Sequence, residues 1–180
     1  MMNSGMKRLI KALARHDGGA VTIELAFISP ILAAMVVGIS DVSIVVGRRL
    51  EVEQAAHRAI EKVMQTTGTL TVEGTIKKEV MCQINGMDAD CATGRMTADQ
   101  AVVTYTLECW TEGEDEPAKQ ESTSAATFET FTCDTAAGET EARYVTVQVN
   151  DTYDPIFPVN FGTGSDGIYQ LTAEAGVRVP

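Results

Sequence analysis

The residues with the clearest chemical potential stand in Gly18-Gly19-Ala20-Val21-Thr22-Ile23-Glu24, where a carboxylate follows a glycine pair and enters an apolar run. An ionised acid within a membrane-spanning helix costs about 2.5–3.5 kcal/mol at the bilayer centre on insertion scales, and less near the interface. A compensating partner is therefore expected. Cleavage after Gly19 would supply one, because Ala20 would then carry a free ammonium and Glu24 would be the fifth residue of the mature chain. In low dielectric the two charges favour pairing, on one helix end or between adjacent subunits. A negative charge in the first turn also suits the helix dipole. Gly19 and Ala20 are thus the processing candidates and Glu24 the assembly candidate. Each has a plainer reading: Glu24 as the interfacial acid of an uncut anchor, Gly19 as a flexible approach to the helix. Their combination, at this spacing and behind a basic arm, favours processing.

These residues need a helix to hold them. Residues Ala20 to Val46 read AVTIELAFISPILAAMVVGISDVSIVV, with Glu24 and Asp41 the only charges. About 20 mainly apolar residues suffice to cross roughly 30 Å of hydrocarbon, so this stretch predicts a transmembrane helix in contact with a lipid bilayer. Lys7, Arg8, Lys11 and Arg15 precede it against Asp17 alone, which by the positive-inside rule keeps the amino terminus in the cytoplasm. Pro30 is read as an ordinary membrane proline, and Asp41 is expected at the outer interface. Helical periodicity then continues: Leu50, Val52, Ala55, Ala56, Ala59, Ile60 and Val63 form an apolar stripe as far as the stop at Thr66-Thr67-Gly68. A helix over about 20–65 would be roughly 70 Å long. Its amphipathic half must rest on a partner surface.

Beyond Gly68 the pattern changes to strands and turns, which gives an α+β fold class: a long N-terminal transmembrane then amphipathic helix, followed by a small β-rich exported domain. Strand candidates are Thr69–Val72, Ile76–Met81, Ala101–Leu107, Tyr144–Val149 and Ile168–Val179; Asn85-Gly86, Asp154-Pro155 and Gly162–Gly167 are turn signals. Between Glu108 and Glu141, ten acids face Lys119 alone, and the segment reads as a solvated excursion tied down by Phe128, Phe131 and Cys133.

Cys82, Cys91, Cys109 and Cys133 all lie in this exported part and contain no C-x-x-C pair, so two disulfides in an oxidising compartment are expected. Three connectivities satisfy that count; sequential pairing, Cys82–Cys91 and Cys109–Cys133, closes the smallest loops and is the expectation.

Charge and composition exclude several functions. The chain has 180 residues and a formal charge of -11, and residues 20–180 carry 10 basic and 24 acidic side chains. An acidic surface opposes nucleic acid, which requires cations to displace counterions from phosphates. His16 and His57 are the only histidines, and no H-E-x-x-H, G-x-S-x-G or phosphate-loop motif is present. Asp88 with Asp90, and the Glu112–Glu116 cluster, lack the EF-hand pattern. No catalytic residue, metal or cofactor is expected.

A short basic leader ending in glycine, then an apolar helix with Glu24, Pro30, Gly38 and Asp41 and an alanine-rich amphipathic continuation, resembles the type IV pilin class. It is most similar to the TadE-like pseudopilins of the tight-adherence (Flp type IVb) pilus system. YVTVQVNDTYDPIFPVNF and LTAEAGVRV resemble that family's carboxy-terminal strands; Leu25 departs from the aromatic residue the family often has after the glutamate. The resemblance covers residues 7–65 well and 144–180 loosely. It implies a minor pilin or pseudopilin that is not an enzyme, with a leader over 1–19, a helix over 20–66 and an exported domain over 67–180. Implied partners are a prepilin peptidase acting on the cytoplasmic face, other pilins and pseudopilins, and the inner-membrane assembly platform. The implied location is the bacterial inner membrane, single-pass, with a periplasmic carboxy-terminal domain that can enter a surface pilus. The alternatives are an uncleaved single-pass adhesin or envelope scaffold, and an exported enzyme cut by signal peptidase near Ala33-Ala34.

Overall fold

The computed structural model describes residues 18–65, 73–86, 91–113, 115–156 and 163–180. The chain divides into two compact units, Met1–Ser43 and Ile44–Pro180. Helix α1, Gly18–Gln65, contributes its apolar length to the first unit and its amphipathic length to the second. The second unit adds helix α2 (Glu73–Asn85), the short helix α3 (Ala125–Phe128) and the strands β1 (Ala101–Trp110), β2 (Ala118–Ser122), β3 (Thr140–Tyr153) and β4 (Tyr169–Val179). The strands form one antiparallel sheet in the order β2-β1-β3-β4.

Period-two alternation gives this sheet one dry face. Ala101, Val103, Tyr105, Leu107 and Cys109 of β1 are buried, beside Val145, Val147 and Val149 of β3 and Leu171, Ala173 and Ala175 of β4. Val52, Ala55, Ala56, Ala59, Ile60 and Val63 of α1, with Ile76 and Val80 of α2, belong to the same apolar core. Three alanines among those six α1 positions keep the helix side chains short, so its backbone can approach the sheet closely. Burial raises the pKa of the Tyr105 hydroxyl far above its usual value, and Glu73 adds to the effect, so this phenol stays neutral.

The sequence expectations hold for the long helix and the three main strands, and need correction elsewhere. Ile76–Met81 is helix, not strand: Ile76 and Val80 lie four apart and both are fully buried, with Met81 and Ile84 partly buried beside them. That is a helical period carried by β-branched residues. Gly86, with φ 96°, follows the helix end, where a left-handed residue is favourable. Leu50 is exposed and not part of the buried stripe. The stretch from Glu108 to Glu141 is no mere excursion, since it holds the end of β1, β2, α3 and a turn in which the Asp134 carboxylate accepts from the N–H groups of Ala136 and Ala137. β2 has no buried residue, so it shows no apolar alternation to reveal it. Thr69–Val72, Asp88 and Asp90 lie outside the described residues.

Two disulfides, Cys82–Cys91 and Cys109–Cys133, secure the segments around the sheet. Asn85 completes the first attachment: its amide donates to the carbonyls of Cys91 and Met96, and its oxygen accepts from the Met96 N–H, all at 2.9 Å. A side chain at Gly94 would meet Asn85 atoms at 2.2–2.6 Å, which is why glycine stands there. The loop so held delivers Arg95. Its Nε lies 3.2 Å from Oδ2 of the buried Asp151, and its Nη2 donates to Glu51 of α1. Asp151 Oδ1 also accepts from the Thr152 N–H at 2.8 Å. Asp151 is buried although Arg95 is partly exposed, and removing the cation leaves the carboxylate unpaired, so Arg95→Ala should lower stability by about 1–3 kcal/mol. Arg95→Ala/Asp151→Asn should recover much of that loss; denaturant titration of the four proteins of the double-mutant cycle measures both.

Candidate processing and assembly region

In the first unit, Gly19 and Ala20 lie in the first turn of α1 and Glu24 lies one turn on. Residues four apart share one face of a helix, so positions 20 and 24 fall on the same face. The Glu24 side chain is exposed. Ala20 is among the first four residues of the helix, whose N–H groups have no intrahelical acceptor.

Around Glu24 the helix presents apolar side chains on all sides. Ile23, Leu25, Phe27, Ile31, Met35, Val36, Ile39 and Val42 are each more than half exposed. The most apolar stretch has a mean hydropathy of 2.1 and none of it is buried within the chain. A core helix of a soluble protein would be mostly buried, so this segment is built for a different surrounding: it is long and apolar enough to cross a membrane. Its polar atoms are handled locally. The Ser40 hydroxyl donates to the Val36 carbonyl at 2.9 Å, and Pro30 lies within the helix without ending it. Gly38 has open space where a side chain would be, and with Met35, Ile39 and Val42 it lines a shallow apolar hollow of about 340 Å³. Asp41, close to the end of the apolar length, is buried within the chain.

In the second unit, Arg48 of α1 donates to the Thr152 carbonyl at 3.1 Å and lies 4.8 Å from the Tyr153 ring, which stacks with Tyr169. This clasp and the Arg95–Asp151 pair were not singled out from sequence. A signal for the second existed: Asp151 occupies the buried phase of β3, in step with Val145, Val147 and Val149, so it required a cationic partner. Which of the fourteen cations would reach it depends on the Asn85 loop.

The outer face of the sheet is polar. Thr106, Glu108, Lys119, Glu121, Tyr144 and Arg178 line an open basin of about 430 Å³. Lys119 Nζ lies 3.0 Å from Glu108, whose hydrogen bond and charge raise the lysine pKa. His57 is exposed on α1. Cys109, Cys133 and Glu139 converge closely enough for a metal, but both sulfurs are committed to a disulfide and offer no thiolate.

Residues 19–60 match the TadE-like protein family, a match that opens at Gly19 and extends through most of α1. No curated protein and no solved structure matches the chain. The match spans 42 of the 180 residues and takes in the apolar length that is long enough to anchor the chain in a membrane. A cation at the middle of the apolar length should oppose insertion by about 2.5–3.5 kcal/mol. Met35→Arg should therefore move most of the protein from the carbonate-resistant membrane fraction to the supernatant, whereas His57→Arg should leave it in the membrane.

Proposed function

We propose that this chain is a minor pilin, made as a precursor and cut between Gly19 and Ala20 by a prepilin peptidase on the cytoplasmic side of the inner membrane. The observation that carries the proposal is Glu24: an acid on a helix segment that is otherwise apolar and unburied, four residues beyond Ala20, in a block that matches the family from Gly19 onward. In this reading residues 1–19 hold the precursor with its amino terminus inside, 20–66 anchor it, and 67–180 form the periplasmic domain. Cutting frees the Ala20 ammonium at the end of α1. Inside its own helix, or against a neighbour's, it neutralises Glu24 and removes the main cost of keeping that carboxylate in apolar surroundings.

Assembly then exchanges lipid for helix contacts. The exposed residues from Ile23 to Val42 are available to other pilins, and Ala26, Pro30, Ala34 and Gly38, each four apart, give a narrow side along which a second backbone can approach. The assembly platform and other pilins are the partners this role requires. The domain contributes a soluble acidic surface; catalysis has no part in the proposal.

The mass of the protein recovered from host membranes tests processing. Ala20 as its first residue is the expected result, and an accumulated chain retaining residues 1–19 would sink the proposal in favour of an uncut anchor or envelope scaffold. Glu24→Ala should still insert and be cut, yet be depleted about tenfold or more from sheared filaments; normal incorporation would remove the pairing role.

A further inference from the structure

The sheet of the second unit ends in two different edges. β2 is 5 residues long, follows Pro117 and carries Lys119 and Glu121. A short, charged edge of this kind resists indiscriminate pairing and accepts only a strand whose charges match its own. β4, at the opposite end, is 11 residues long, has no proline within it, and among the described residues pairs only with β3. Alternate residues of an antiparallel strand direct both backbone groups away from their neighbour, so β4 offers a long outward row of donors and acceptors. Such a row is a template for a further strand.

Strand direction limits what fills it. Because every neighbouring pair in β2-β1-β3-β4 is antiparallel, β4 runs opposite to β2. A second copy shifted across the strands, without turning over, brings its β2 to β4 in the antiparallel sense and keeps both α1 helices pointing the same way. The symmetric alternative, β4 on β4 about an axis normal to the sheet, reverses one copy. The stretch of α1 from Val52 to Val63 lies along the sheet, so its direction would be reversed too. Two copies anchored in one membrane cannot adopt that arrangement.

Charge supports the first geometry. With the partner's residues 118–122 laid against 175–171, Glu174 stands opposite the partner's Lys119, and Arg178 falls in line with the partner's Asp115. Glu174, Arg178, Lys119 and Asp115 are all exposed, and Glu174, Arg178 and Lys119 lie on the outer face of the sheet.

We propose that β4 receives β2 of a second copy of this chain, head to tail, so that one antiparallel sheet continues from subunit to subunit. A contact between unlike surfaces leaves one edge of each kind unused at the ends, so it propagates as an open array unless the rotation between copies closes it into a ring. The choice of same-direction copies rests on the reading of α1 as a membrane and filament helix.

Cross-linking of the full chain in host membranes tests it. A copy carrying Thr172→Cys and a differently tagged copy carrying Glu121→Cys are co-expressed; there are no native free cysteines to compete. Mild oxidation should give the mixed dimer at about ten times the yield of either copy alone. Within one chain the two positions are three strands apart, about 14 Å, beyond the reach of a disulfide. Glu174→Lys, at an exposed position, should reduce the yield several-fold. Absence of the mixed dimer overturns the proposal, as does an equal or greater yield from Glu174→Cys with Arg178→Cys, the pair brought together by a symmetric β4-on-β4 arrangement centred on Gly176. Carbonate extraction of the same membranes reads anchoring separately. Cross-linked protein that is fully extracted would sink the membrane reading but not the edge pairing; retained protein without the cross-link would do the reverse.

Discussion

One helix has to satisfy two solvents. From Ile23 to Val46, Glu24 and Asp41 apart, α1 is predominantly apolar on all sides; from Val52 to Val63 it is apolar on a single stripe, and that stripe is covered by the sheet. The difference fixes the rest of the molecule. A full apolar circumference is stable only in lipid or among like helices, whereas a stripe flanked by Glu51, Arg58 and Glu61 requires water on its other side. The sheet is what makes the second condition work. Its dry face presents valine and alanine to a helix whose own contacts are largely alanine, and a change in side-chain volume on either surface would be felt on the other.

A domain of this size, with one helical stripe and four strands, has little redundancy. Its connections are secured chemically where the core cannot reach. The disulfide Cys82–Cys91 and the Asn85 hydrogen bonds fix the loop that carries Arg95, and Cys109–Cys133 ties the segment after α3 back to β1. Arg95 then joins α1 to β3 through Glu51 and Asp151. Arg48 makes a second link between the same elements through Thr152 and Tyr153. The helix is therefore held to the sheet by directional contacts as well as by its apolar stripe, which fixes its register and not merely its attachment.

How much of this was legible follows from which signals are local. The long helix could be read because its period and length are properties of consecutive residues, and β1, β3 and β4 because alternation survives wherever one face is buried. α2 was misread because Ile76 and Val80 are β-branched; only their spacing of four, with Met81 and Ile84 beside them, marks the helix, and spacing outranked residue type. β2 was missed because an edge strand without a buried residue has no pattern to show. In the candidate region, Gly19, Ala20 and Glu24 stood out because an acid in an apolar run is a conflict within a single helix. Arg95 and Asp151 did not, because their meeting depends on a loop closed by a disulfide and on the hydrogen bonds of the Asn85 side chain.

The same distinction bears on function. In the proposed role, what is local in this chain, the glycine, the acid one turn into the helix and the apolar length behind it, serves insertion and assembly, and the TadE-like match covers residues 19–60. What is non-local, the sheet with its polar outer face and its unequal edges, falls outside that match and is held by contacts between residues far apart in the chain. An anchor must meet a surrounding common to all its neighbours, so its requirements are few and are written in consecutive residues. In the proposed array the domain must meet one partner and reject others, which needs charges placed by tertiary structure. Glu174 and Arg178 on β4 and Lys119 on β2 are placed in that way: they are far apart in sequence, yet the sheet brings them to opposite edges of one outer face, where their signs are complementary between copies.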